Sequence, residues 1–215
     1  MNKIWLLIGL LLIVASLVYL NQPKLPSGTS SQNPIAVLCE TTKGPLRILV
    51  MPAWSPLGAE RFLQLVEDGF FTEMPFFRCV KDFVCQVGAK TAGLTKPYSA
   101  ISDDPKRFEF SPLKRGQLSF AGFAANSRTN HIFINLGSAP TLGTQSWETP
   151  FAYLDETTLN ATASKLTTQY GDMPPWGNGP DAALIEAASG KEYLKTKYPQ
   201  LDYIKYCARD KTNNY

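Results

Sequence analysis

The sequence predicts a mainly β protein: a closed antiparallel barrel whose ends are plugged by helices. Two observations support this fold class. Many short apolar and β-branched segments alternate with turn residues, and only two isolated segments have helical spacing. Without an apolar N-terminal run and a linker, about 180 of the 215 residues remain, which is enough for one domain with a core but not for two.

The N-terminal run, IWLLIGLLLIVASLVYL at residues 4–20, carries no charge. Its length is at the lower limit for a helix that spans a bilayer. Trp5 and Tyr19 lie near its ends, where aromatic residues favour the headgroup region, and Lys3 precedes it. We therefore expect residues 1–20 to be a signal-anchor segment that makes the chain a single-pass type II membrane protein. A cleaved signal peptide, which would make the protein secreted, is the alternative.

Residues 21–33, NQPKLPSGTSSQN, have the composition of a flexible linker, and we assign residues 34–215 to one domain. The domain begins with IAVLCETT and LRILV around Lys43-Gly44-Pro45, which predicts a β-hairpin. Ser55-Pro56 then predicts a helix start, and Asp68-Gly69 predicts its end. The apolar residues at helical spacing between them are Ala59, Phe62, Leu63 and Val66.

The next stretch, PFFRCVKDFVCQVG, predicts two short strands with a turn near Lys81-Asp82. Arg78 is its unusual residue, because arginine is rarely buried in so apolar a strand without a partner. It is either a salt-bridged or snorkelling side chain, or a donor held over an apolar floor for a substrate carbonyl or amide.

Further along, Phe108 and Phe110 predict a short strand, and QLSFAGFAANSRTNHIFINL predicts two strands around the loop 122–130. A short strand follows at 151–154, and helical spacing predicts a second helix from about Asp155 to Tyr170. The segment LDYIKYC predicts the last strand. A lone His131 is more typical of a hydrogen-bonded neighbour of a site than of a proton-transfer group.

Composition excludes several functions. The net charge is only +3 and no dense basic run is present, so nucleic acid is not an expected partner. Walker, Rossmann and metalloprotease motifs are absent from the sequence. One histidine and four scattered cysteines argue against a zinc site. We expect no metal and no cofactor.

At this point the sequence resembles the cyclophilin-type peptidyl-prolyl isomerases. The resemblance runs from Ile35 to Arg209 and is carried by several blocks in order. These blocks are TTKGPLRI, PLGAERFLQLVEDGFF, PFFRCVKDFVCQVG, LSFAGFAANSRTNHIFINLG, WETPFAYL, GNGPD and LDYI. It implies an eight-stranded antiparallel barrel capped by two helices, isomerase activity on proline-containing polypeptides, and a monomer.

The resemblance also assigns site residues. Arg78 stands at the catalytic arginine, and Gln86 stands at the glutamine beside it. Ala121 and Gly122 match the pair whose backbone holds the residue before the proline. The other residues that the resemblance places in the substrate groove are Phe77, Phe83, Val84, Phe120, His131, Phe133 and Leu142.

Three departures from the family pattern bear on function. His131 replaces a glutamine, Thr141 replaces a tryptophan, and the pocket histidine expected around 145–149 is missing, with Trp147 or Thr149 nearest. They put tight binding of the family's cyclic-peptide inhibitor in doubt. The predicted function is a prolyl isomerase that assists folding in the secretory pathway. The alternatives are a proline-peptide-binding module or chaperone with weak or no isomerase activity, and a tethered scaffold with a decayed groove.

Outside the cytosol the four cysteines could be oxidised. Because the first and last strands are neighbours in the family barrel, the resemblance suggests a disulfide between Cys39 and Cys207. Four small buried hydrophobic residues are the alternative. Asn160 begins an N-glycosylation triplet, although such triplets often occur by chance.

Overall fold

The computed structural model describes residues 33–93 and 97–211. The predicted anchor at 1–20, and the predicted linker except for its last residue, lie outside the described residues. Within the described ranges, no helix is long and apolar enough to cross a membrane.

The chain forms one antiparallel sheet of nine strands that curls around the core. In spatial order the strands run β3, β9, β1, β2, β8, β6, β7, β5 and β4. Their bounds are β1 Ile35–Thr41, β2 Gly44–Val50, β3 Met74–Pro75, β4 Arg78–Cys79, β5 Val84–Val87, β6 Gln117–Phe120, β7 Ile132–Asn135, β8 Ala152–Leu154 and β9 Tyr203–Arg209. The mainly β fold class is therefore confirmed, as is the N-terminal hairpin of β1 and β2.

The predicted strand count and closure need correction. Eight strands in a closed barrel were expected, but the sheet has nine strands with β3 and β4 at its edges. No strand pairing joins these two edges among the described residues. They are consecutive in the chain and separated only by Phe76 and Phe77. The segment from Met74 to Cys79 thus pairs with β9 in its first part and with β5 in its last part. This change of partner divides the segment into the two strands β3 and β4.

Helix α1, Pro56–Glu67, has the predicted position and face: Ala59, Phe62, Leu63 and Val66 are all buried. Ser55 occupies the N-cap position, but its side chain does not cap the helix. Instead the carboxylate of Asp104 accepts hydrogen bonds from Leu57 N at 2.9 Å and Gly58 N at 3.0 Å. The cap therefore comes from a loop distant in sequence.

The predicted second helix is shorter than expected. Helix α2 covers Glu156–Ala161, and a 3-10 turn follows at Ala163–Lys165. Leu166 then adopts extended backbone, which stops the helix well before Tyr170. Two further helices were not predicted: α3, Ala182–Glu186, and α4, Gly190–Lys197. The part of the chain described here therefore has four helices rather than the two capping helices that were predicted.

The pair Phe108 and Phe110 forms a 3-10 turn rather than a strand, and Phe108 is 78% exposed. The alternating apolar residues therefore gave a wrong strand prediction here, since this segment pairs with no neighbouring strand.

The main core lies inside the curled sheet under α1. There the ring of Phe151 contacts the rings of both Phe62 and Phe120.

All four cysteines lie in the described part of the chain, and they form two disulfides. Cys39 in β1 is bonded to its cross-strand neighbour Cys207 in β9, the pairing that the family resemblance suggested. Cys79 in β4 is bonded to Cys85 in β5, a pairing that was not predicted. The second disulfide ties together the two strands that contain Arg78 and Gln86.

Candidate active site

The strands β4 and β5 form a hairpin that sets Arg78 directly opposite Gln86. Arg78 Nη1 donates to Gln86 Oε1 at 3.1 Å, and the guanidinium carbon lies 5.8 Å from the centre of the Phe83 ring. On its other side the guanidinium meets Asp172, with Nε to Oδ1 at 2.6 Å and Nη2 to Oδ2 at 3.2 Å. Arg78 is therefore both salt-bridged and placed over an apolar floor.

An apolar cluster adjoins this arginine at Phe83. Val84, Leu113 and Phe133 form its buried base, and the half-buried residues packed on that base are Phe83, Phe110, Ala121 and Leu142. Val84 and Phe133 lie on the paired strands β5 and β7, so hydrogen-bonded backbone connects the two residues. Five of the predicted groove residues thus come together in one cluster: Phe83, Val84, Ala121, Phe133 and Leu142.

At Gly122 the backbone packs closely against Trp147. A Cβ atom built on Gly122 would lie 2.7 Å from Trp147 Cδ1, so a larger residue here would displace the indole ring. The family often has asparagine at this position, and glycine makes room for the tryptophan. Trp147 belongs to a 3-10 turn at Ser146–Glu148, in the segment where the family histidine was expected.

His131 connects the groove to the C-terminal helices. Its Nδ1 lies 3.5 Å from Gln86 Nε2, and its Nε2 lies 3.5 Å from Glu186 Oε1 at the end of α3. The ring also meets Phe77 edge-on, with centroids 5.7 Å apart. His131 is thus a neighbour of the Arg78–Gln86 pair, and Glu186 adds a second carboxylate to this side of the groove.

Two predicted substrate contacts lie outside this cluster. Phe120 is buried and packs on Phe151 in the main core. Phe77 is also buried, in a separate cluster with Ile185 and Leu194 of the C-terminal helices. Both are adjacent in sequence to groove residues, but their side chains pack in the main core and in the cluster of the C-terminal helices.

Asp172 and Glu186 are the site neighbours that sequence reasoning missed, whereas Trp147 is among the residues that the sequence places nearest to the missing family histidine. Asp172 lies in the proline- and glycine-rich loop GDMPPWGNGPD, whose length was the one signal that it could have a role.

The predicted glycosylation residue Asn160 lies elsewhere. It is exposed on α2 and accepts a hydrogen bond from Arg115 Nη1 at 3.1 Å.

A family model described as cyclophilin type peptidyl-prolyl cis-trans isomerase/CLD matches residues 36–169. This range is more than half of the chain and includes Arg78, Gln86 and the apolar cluster of Val84, Leu113 and Phe133. The chain belongs to the cyclophilin-type peptidyl-prolyl isomerase family. Asp172 and Glu186 lie beyond the matched range.

Curated relatives agree with this assignment. The peptidyl-prolyl isomerase CWC27 of Yarrowia lipolytica is 34% identical over 122 residues, which are 53% of this chain and 33% of that protein. The peptidyl-prolyl cis-trans isomerase CYP18-2 of Arabidopsis thaliana is 31% identical over 113 residues, 51% of this chain and 69% of that protein. The present chain thus matches only about a third of the length of the CWC27 protein.

Solved structures show the same fold. A cyclophilin type peptidyl-prolyl cis-trans isomerase of Cryptosporidium parvum superposes with a TM-score of 0.60 at 20% identity, covering 84% of this chain and 99% of that chain. A second crystal structure of the same protein was obtained in the presence of the dipeptide Ala-Pro. It gives a TM-score of 0.56 at 19% identity, covering 81% of this chain and 98% of that one.

Proposed function

We propose that this cyclophilin catalyses cis–trans isomerisation of prolyl peptide bonds in client polypeptides. The observation that carries the proposal is Arg78, a permanently charged donor beside the apolar cluster built on Val84 and Phe133. Family membership supports the same activity.

The reaction needs no covalent intermediate. Rotation about the prolyl bond has a barrier of about 18–20 kcal/mol because amide resonance is lost in the twisted state. In that state the proline nitrogen becomes a better hydrogen-bond acceptor. A donor fixed near this nitrogen therefore binds the twisted state better than the planar one, and that difference accelerates rotation.

Each group in the groove has a distinct task in this mechanism. The pocket of Val84, Phe133 and Leu142 holds the proline ring still, while the carbonyl before it rotates. Arg78 donates to the twisted amide, and Gln86 orients Arg78 through its Oε1. The backbone of Ala121 holds the residue before the proline.

The decisive experiment is magnetisation exchange between the cis and trans forms of an Ala-Pro tetrapeptide with the full-length chain in detergent. We expect the chain to accelerate exchange above the spontaneous rate, since uncatalysed isomerisation takes tens of seconds or more. An exchange rate that stays at the spontaneous value would refute the proposed activity.

A binding module is the second candidate. Two observations favour it: the carboxylate of Asp172 neutralises Arg78, and His131 replaces the family glutamine. In the same experiment, a binding module would shift the resonances of Phe133 and Leu142 when the peptide is added but would leave the exchange rate unchanged.

We also propose that the domain works on the non-cytosolic side of a membrane, on clients of the secretory pathway. The uncharged run at 4–20 and the pairing of all four cysteines support this location. We expect protein prepared from membranes without reductant to contain no thiol that reacts with maleimide before unfolding or after it. Detection of four thiols in the unfolded protein would contradict the location, and a reduced sample provides the control.

A further inference from the structure

The segment between α2 and β9 covers the outer side of the Arg78 hairpin. Its helices α3 and α4 contribute Ile185 and Leu194 to an apolar cluster with Phe77 and Ala89, which flank the hairpin. This cluster is separate from the main core and from the substrate pocket. The segment is therefore packed against the site.

A backbone contact aligns this segment with the catalytic strand. Gly171 forms an antiparallel bridge with Cys79, the residue after Arg78. Cys79 is itself paired with Cys85 on its other side. The bridge extends the sheet beyond β4 by one residue, and it brings the next residue of the loop, Asp172, beside Arg78.

The loop holds the Asp172 carboxylate in place from its own side. Met173 N donates to Asp172 Oδ1 at 2.8 Å, and Gly179 N donates to the Asp172 carbonyl at 2.8 Å. A Cβ on Gly177 would lie 2.4 Å from that carbonyl oxygen, so the loop closes tightly around Asp172. Asp172 is thus a fixed acceptor before any substrate binds.

The number of N–H groups that Arg78 still has for a substrate decides whether Asp172 positions the arginine or blocks it. A guanidinium has five N–H groups. Asp172 takes two of them and Gln86 takes one. The other two have no protein acceptor within the described residues. The side chains of Arg78 and Asp172 are 19% and 22% exposed, so solvent still reaches the pair.

We propose that Asp172 is a positioning residue: it holds the Arg78 guanidinium against Gln86 so that the two remaining N–H groups meet the substrate amide. The role rests on the proposed isomerase function. Without Asp172, Gln86 would hold the long side chain by a single hydrogen bond, and Arg78 would occupy several rotamers. A donor that must first be ordered stabilises the twisted state less than a preorganised one.

The test measures kcat and KM of the full-length chain with Asp172→Ala, Asp172→Asn and the control Glu67→Gln. Glu67 pairs with Arg209, outside the groove, and Glu67→Gln removes the same charge as Asp172→Asn. We expect Asp172→Ala to lower kcat/KM by about 10- to 100-fold, mainly through kcat. Asp172→Asn keeps one oxygen acceptor and should lose less, and Glu67→Gln should match the wild type.

A second readout follows the arginine directly. In a 15N-labelled chain the Arg78 Nε–H resonance should exchange slowly with water in the wild type and in Glu67→Gln, and rapidly in Asp172→Ala. An unchanged resonance, or a kcat/KM that is unaltered or raised in Asp172→Ala, would overturn the positioning role; a raised value would mean that Asp172 competes with substrate. If the wild type itself is inactive, the proposed function fails, and the Nε–H resonance alone decides the role of Asp172.

Discussion

Replacement of Arg78 by alanine should lower kcat/KM by about 10²–10³-fold, equivalent to about 2.7–4 kcal/mol of transition-state stabilisation. The guanidinium is a charged donor beside Phe83 at the edge of the apolar cluster, and Gln86 and Asp172 hold it there. Its loss removes the hydrogen bond that is stronger in the twisted state than in the planar one. The apolar pocket of Val84 and Phe133 remains, so peptide affinity should change less than kcat.

The same cis–trans exchange measurement tests this expectation, together with Arg78→Lys and Arg209→Ala. Lysine has the charge but not the planar fork, so it cannot bond to Asp172 and Gln86 and also reach the substrate in the same geometry. We expect Arg78→Lys to recover little activity. Arg209→Ala removes an arginine on β9 that pairs with Glu67 at the end of α1, so this variant should be fully active. Turnover that survives in Arg78→Ala would disprove the assignment of Arg78.

The largest effect on stability should come from Asp104→Ala, which we expect to lower the free energy of unfolding by about 3–5 kcal/mol. Arg128 is 0% exposed and its Nη1 lies 3.0 Å from Asp104 Oδ2. Its other carboxylate neighbour, Asp103, is 3.6 Å away. Removing Asp104 therefore leaves a buried cation poorly compensated, and it also removes the N-terminal cap of α1.

Urea unfolding of the chain would measure this loss, with Glu67→Ala as the surface control. Glu67 is 59% exposed in its ion pair with Arg209, and such pairs contribute about 0–1 kcal/mol. The double variant Asp104→Ala/Arg128→Met should be more stable than the sum of the single losses predicts, because it removes the stranded charge as well. A loss under about 1 kcal/mol in Asp104→Ala would show that the network contributes little.

Local patterns in the sequence determined a large part of the fold. The turn residues between β1 and β2 and the spacing of Ala59, Phe62 and Leu63 predicted a hairpin and a helix that the structure contains. These elements depend on near neighbours in the chain, so period and turn chemistry carry their information. The same local order also marked the hairpin with Arg78 and Gln86 and most of the pocket residues around it.

Tertiary structure alone decided which groups meet. Ser55 is a good N-cap by residue type, yet Asp104, 46 residues from the Gly58 N–H that it accepts, caps α1 because Arg128 is buried beside it. Arg78 was open to either of two interpretations, and its carboxylate partner lies 94 residues away. An ion pair of this kind depends on how distant loops pack, which neither hydrophobic period nor residue propensity encodes. The sequence by itself predicted the N-terminal hairpin, α1 and the hairpin that contains Arg78 and Gln86, whereas tertiary packing chose the partners that hold the arginine in place.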